Sequence, residues 1–523
     1  MKKTYLLFVL LSALLWSCNN TPDDETGTTG TSTETNTGDD SSDFVEEQTW
    51  DSTISIVWSG SSASVSGAAD GVSVVSESGV VTITSTAKHV EYALSGSGSG
   101  QLNIYSDYKF KLSLNGLRLS CGNGPAINNQ CGKTCYVVLT ETSVLSDGST
   151  YATSTEDRKA AFFSEGQLIV SGSGTLSITG NYNHALASDD YIRVREGVLN
   201  LTANVSDGMH ANDGIIIDDG TVTVRATGDG IQCDTSSIVI SGGTVNVAQA
   251  GDKGLLACTN IEVSGGTITV NSADKGIKAK GNISISGGDI TVIAGSSASY
   301  APGGGHGGGW GSSSGAEGIE AKGTLTITDG KVYAQASDDA INSGGDLTIS
   351  GGYVCAYSTG NDGMDANGNC YIKGGVVYAI GSSSPEVAID ANTEQQKKLY
   401  VQGGTLVAVG GLESGSSLTQ SCYSASSWSS NTWYALTYNN NVFAFKTPSS
   451  GGTPLVVSAS STPTLTSGVT VSGGTSVFNG MGSVGATVSG GSSVSLSSYS
   501  GGGGMGGNGG GPGGGHGGGH GGW

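Results

Sequence analysis

One short pattern recurs through most of this 523-residue chain: a small residue, a large aliphatic, any residue, then another small one. It reads Ala185-Leu186-Ala187-Ser188, Gly208-Met209-His210-Ala211 and Gly230-Ile231-Gln232-Cys233, and continues to Ala388-Ile389-Asp390-Ala391. The aliphatics at 186, 209, 231, 255, 277, 319, 341, 364 and 389 lie 22 to 25 residues apart, with one step of 42. A fixed period of this length marks units that cannot bury an apolar face alone and do so by stacking. The long step holds a Gly-rich insertion at 295–315.

Each period carries a second signature: an alternating strand, a Gly-Gly turn and another alternating strand, as in Ile238-Val239-Ile240-Ser241-Gly242-Gly243-Thr244-Val245-Asn246-Val247. Alternation gives each strand one buried and one wet face. Three short strands in about 22 residues, with no helix, predict an all-β chain: a parallel β-helix of about 22 residues per coil. A propeller would need a period about twice as long. Ala126-Ile127-Asn128-Asn129 and Ala161-Phe162-Phe163-Ser164 read as earlier coils. The solenoid is expected over residues 50–415. The repeat then fades, and 416–495 reads as a small C-terminal β cap over the open end.

Composition agrees. Charged residues are 13% of the chain, about half the usual share, and 89 glycines help fill the deficit. The net charge of −22 excludes a basic nucleic-acid footprint. Lys2 and Lys3 followed by the apolar run Tyr5 to Leu15 form a signal peptide over 1–17. Leu15-Trp16-Ser17-Cys18 resembles a bacterial lipobox, which would make Cys18 the lipidated first residue of an outer-membrane, surface-exposed lipoprotein. Residues 18–49 are too polar to bury a core and read as a disordered tether, and 496–523 as a disordered Gly/His tail.

Stacking sets equivalent residues about 4.8 Å apart. The column before the small residue reads His184, Asp207, Asp229, Lys253, Lys275, Glu317, Asp339, Asp362. Carboxylates at that spacing repel by about 1 kcal/mol per pair even in water. The middle coils interleave lysine. The outer coils do not, and Asp207 with Asp229, and Asp338, Asp339, Asp362, Asp365 and Asp390, form acid groups suited to calcium, which takes oxygen ligands. The outward position after the Gly-Gly turn reads Asn246, Thr269, Thr291, Tyr333, Cys355, Tyr378, with Tyr353 and Tyr357 on the coil between. Exposed tyrosines on a flat sheet offer a sugar platform: Tyr333, Tyr353, Tyr357 and Tyr378. His306, His516 and His520 in glycine runs are weak metal candidates. Eight cysteines after Cys18 leave disulfides open.

The runs Gly124-Pro125-Ala126-Ile127, Ala161-Phe162-Phe163-Ser164 and above all Gly180-Asn181-Tyr182-Asn183-His184-Ala185-Leu186-Ala187-Ser188-Asp189-Asp190 resemble the bacterial carbohydrate-binding domain-containing proteins. The resemblance implies a right-handed parallel β-helix similar to polysaccharide lyases, bound calcium, and non-catalytic binding of cellulose or acidic pectin-like glycans. Two alternatives stay open. One is a cell-surface adhesin or structural protein. The other is a lyase on uronic-acid polymers, with Lys253 or Lys275 as base, although flanking carboxylates raise a lysine's pKa and make it a poor base. The oligomeric state is not legible.

Overall fold

The computed structural model describes residues 43–295 and 315–501. Cys18, the signal segment, the tether up to residue 42, His306, His516 and His520 lie outside the described residues.

The aliphatic column is the register of the fold. Leu186 pairs with Met209, Met209 with Ile231, Ile231 with Leu255, and so on to Met364, all in parallel. Phe162, Ile127, Leu102 and Val81 extend it downward, and single bridges carry it to Ile389 and Leu412. Every member is buried. Ile277 pairs directly with Ile319, so the insertion leaves and rejoins a single coil. The result is an all-β solenoid of about 12 turns.

Three parallel strand stacks enclose the core. In one coil these are Ile231–Cys233, Ile238–Ile240 and Thr244–Ala250. Val245 and Val247 point inward and Asn246 outward, as alternation requires. The Gly-Gly turn is sterically obligatory. At Gly266 φ is 84°, and a Cβ would lie 2.9 Å from the Gly243 carbonyl oxygen of the coil below, which only glycine avoids.

Both ends depart from the expected boundaries. Arg193 is buried, and a buried guanidinium needs partners. It pairs with Asp218 and with Asp43, 2.6 and 3.0 Å away, so residues just before 50 dock on the solenoid rather than hang free. Arg195 pairs with Glu46 at 3.0 Å and lies over the Phe44 ring. At the other end Ser497–Tyr499 forms a strand against Cys422–Ala425 in the sheet of the solenoid, so the last described residues are part of the fold and not of a tail.

The cap is a six-stranded antiparallel sheet built from strands between Trp433 and Val494. Leu455–Ser458 stays with the solenoid and pairs antiparallel with Thr405–Val409. The cap also folds back along the side of the rod. Phe443, Phe445 and Phe478 form a second apolar cluster with Tyr333, Cys355 and Tyr378.

Candidate functional site

The outward column Thr291, Tyr333, Cys355, Tyr378 is in register as expected. Its tyrosines are not an exposed platform. Tyr378 is 0% exposed and donates its hydroxyl to the Lys446 carbonyl at 2.9 Å, with Phe445 5.5 Å from its ring. Tyr333 is buried, and Tyr353 and Tyr357 are half-buried against the same cluster. Aromatic rings on a sheet are as good a seat for another apolar face as for a sugar, and here the cap takes them. What stays open is the lip. A cleft of about 250 Å³ runs between Asp289, Thr291, Lys331 and Tyr333 on the rod and Phe478 and Asn479 on the cap. Below it the outward residues Ser177, Asn200, Thr223, Asn246, Thr269 and Thr291 stand in one line of paired strands, all half-buried.

The corner column divides into three zones. In each acid zone the carboxylate closes the next coil's backbone. Asp207 Oδ1 accepts from Asp229 N at 2.8 Å, and Asp229 Oδ1 from Lys253 N at 2.7 Å. Asp339 Oδ1 accepts from Asp362 N at 3.2 Å, and Asp362 Oδ1 from Val387 N at 2.6 Å. A tight corner leaves these amides without a ladder partner, and aspartate supplies one. This role was not read from the sequence.

In the first zone Asp207 and Asp229 do not form an all-oxygen pair. Asp207 Oδ2 lies 3.1 Å from Nδ1 of both His184 and His210. The imidazoles stack with centroids 4.2 Å apart, and His210 Nε2 faces Asp234 Oδ2 at 3.2 Å. Burial acts to raise Asp207, but the two imidazoles hold it well below the usual carboxylate range. Burial also opposes charge on His210, yet Asp207 and Asp234 outweigh it and raise it to about 9. His184 is lowered, by burial first and with the His210 charge adding to it. The stacked pair thus carries a single proton charge. Asp229 is pushed up to about 7 by burial, then by Asp252 and Asp207.

In the middle zone lysine and carboxylate alternate. Lys253 lies 2.9 Å from Asp252, Lys275 2.9 Å from Glu317, and Lys278 3.3 Å from the buried Glu320. Burial disfavours charge on Lys253 and Lys275, but Asp229 on the first and Glu317 on the second reverse the balance and raise both. Both are ammonium ions at neutral pH, unfit as proton-abstracting bases.

The third zone is acid alone. Among the described residues no lysine or arginine forms an ion pair with Asp338, Asp339, Asp362, Asp365 or Asp390. Asn342 Nδ2 donates to Asp339 Oδ2 at 2.9 Å and to Asp365 Oδ2 at 3.1 Å, and Asn361 Nδ2 to Asp338 Oδ1 at 2.7 Å. Burial, then the charge of Asp365, lifts Asp339 to about 8. Burial, with Glu386 adding, lifts Asp362 to about 7. Burial lifts Asp365 to about 6, helped by Asp338, and Asp390 to about 8, helped by Glu413. The donor set is oxygen throughout and short of positive charge, which fits a hard cation. No three of these acids bring ligand oxygens within 4.8 Å of one another, because the Asn342 amide sits between two of them.

No disulfide joins the eight described cysteines.

A family model matches residues 77–363, more than half of the chain. The chain belongs to the carbohydrate-binding domain-containing protein family. The match spans the His–Asp corner and the lysine zone, and it reaches Asp362. A solved structure of the polysaccharide lyase-like protein from C. thermocellum, a gadolinium derivative, is similar at 20% identity and a TM-score of 0.36, over 46% of this chain and 92% of its own. No curated protein matches the chain.

Proposed function

We propose that the chain is a non-catalytic binder that lays an extended polysaccharide along the polar row from Ser177 to Thr291 and into the cleft under the cap. The observation that carries this is the row itself. Six hydroxyl and amide side chains stand one per coil on a straight, rigid sheet, and they lead into a cleft with Tyr333 at its floor and Lys331 and Asn479 at its rim. Polar groups at the strand spacing can hydrogen-bond successive sugars, and a rigid row loses little entropy on binding. Lys331 lies 3.5 Å from Asp289 Oδ2 in the same cleft, so a uronate carboxylate would take the place of that partner, and a neutral glucan needs no such exchange. The pinned lysines Lys253 and Lys275 support binding over eliminative cleavage.

Calcium is proposed at the acid zone. There a hard ion would offset the burial, and with it the mutual repulsion, that lift Asp339, Asp362, Asp365 and Asp390, and Asn342 would turn its carbonyl oxygen inward. Cys18 is proposed as the lipid anchor that holds the rod at the outer-membrane surface.

The test is affinity electrophoresis in gels that contain polygalacturonate or a soluble β-glucan. Lys331→Ala combined with Asn479→Ala is expected to weaken retention about tenfold, the scale of one or two lost polar contacts. Unchanged retention in both gels would move the site away from the cleft.

A further inference from the structure

The corner at His184 holds a chemistry that oxygen-only ligation does not explain. Its three side chains come from two consecutive turns. His184 begins the strand His184–Ser188, His210 sits in Met209–Ala211, and Asp207 precedes the latter. Their ligand atoms lie within 4.8 Å of one another, and no other such group of three occurs among the described residues. We propose that His184 Nδ1, Asp207 Oδ2 and His210 Nδ1 bind a divalent transition-metal ion, zinc in the first place.

Four observations carry this. Two imidazole nitrogens with one carboxylate oxygen form a donor set for zinc, and calcium prefers oxygen alone. Asp207 cannot turn away, because its Oδ1 is held by Asp229 N at 2.8 Å, which presents Oδ2 to both rings. His210 has the outer carboxylate typical of metal-ligating histidines: Nε2 faces Asp234 Oδ2 at 3.2 Å, which holds one ring proton there, so that the proton a metal displaces is the one on Nδ1. Asp234 is steadied in turn by Gln232 Nε2 at 2.7 Å. Finally, His184 Nδ1 faces a donor and an acceptor at once, Asp207 N at 3.3 Å and Asp207 Oδ2 at 3.1 Å. A proton on Nδ1 meets the amide, and a lone pair meets the carboxylate. A cation between Nδ1 and Oδ2 takes a lone pair from each and resolves the clash with the carboxylate, and the Asp207 amide gives up Nδ1 as its acceptor. The three ligands are only 6–7% exposed, so the strands fix them.

The test uses the full chain, stripped with chelator, dialysed against zinc and analysed for bound metal. Titration calorimetry gives the affinity, and cobalt(II) serves as the spectroscopic probe. Wild type is expected to hold one zinc more than His210→Ala, and to give visible cobalt bands that this variant lacks. His306, His516 and His520 are common to both proteins, so the difference reports the corner alone. Asp234→Asn keeps every ligand and the side-chain shape. It should still bind, about 10–100-fold more weakly, the usual effect of losing an outer-shell carboxylate. Equal zinc content in wild type and His210→Ala, or wild-type affinity in Asp234→Asn, would overturn the assignment. So would displacement of zinc by an equal concentration of calcium.

Discussion

Replacing Asp362 by asparagine is expected to stabilise the metal-stripped protein at pH 8. Asp362 Oδ1 accepts from Val387 N at 2.6 Å, and an asparagine carbonyl can do the same. What the substitution removes is a charge that burial disfavours first and that Glu386, Asp365 and Glu413 then repel. The folded pKa is about 7 against an ordinary 3.8, so this carboxyl favours the folded state fully below about pH 4 and loses that contribution as pH rises through 7. The difference amounts to about 4 kcal/mol as an upper figure. Neighbouring acids that relax once one charge is gone, and water at the corner, bring the expected gain nearer about 2 kcal/mol. In a solenoid of this length that is a rise in Tm of about 2–4 °C. Thermal unfolding by circular dichroism in chelator, at pH 4 and pH 8, reads the effect: a gain at pH 8 and none at pH 4. With millimolar calcium the order should reverse at pH 8, because wild type gains a ligand that the variant has lost. A variant less stable than wild type at pH 8 in chelator would mean that Asp362 has a cationic partner, and would refute the reasoning.

Tyr378→Ala should destabilise by about 3–5 kcal/mol, the usual scale for emptying a buried aromatic site. Because that site joins cap to rod, limited proteolysis should cut first within 426–495. Lys275→Met should cost about 3–5 kcal/mol, since Glu317 and Glu320 lose a cation in a buried corner; a Tm within a degree of wild type would contradict this. Gly254→Ala should lower Tm strongly, because its Cβ would meet the Val270 side chain and lie 2.5 Å from the Gly276 carbonyl oxygen.

The solenoid was legible because each coil repeats the same local demand. The aliphatic at 186, 209 or 231 must face inward at one point of every turn, so the period on paper becomes the register in space. The zoning of charge was legible for the same reason, and Lys253 and Lys275 sit among acids as their column implied. The tyrosines misled because their cover is not local. Tyr378 reaches Lys446 across 68 residues, and the cap strands carry no period that tells which face they fold onto. His184 and His210 stood in the same columns as the acids. No single column marks them as a pair, because one lies in the column of Asp207 and the other two positions after the small residue. Only the coil-to-coil register brings both rings to one oxygen. The docking of Asp43 and Glu46 was hidden by a polar composition that reads equally as tether. The buried Arg193 was the missing signal, and burial is not visible in a sequence.

The central claim is that the chain binds polysaccharide without cleaving it. The direct measurement is a pull-down of the chain on insoluble cellulose and on immobilised polygalacturonate, with calcium and with chelator, while ultraviolet absorbance follows any unsaturated sugar product. The account predicts retention on at least one glycan, weakened by chelator on the acidic one, with flat absorbance throughout. Rising absorbance, or no retention on either glycan in either condition, would contradict it.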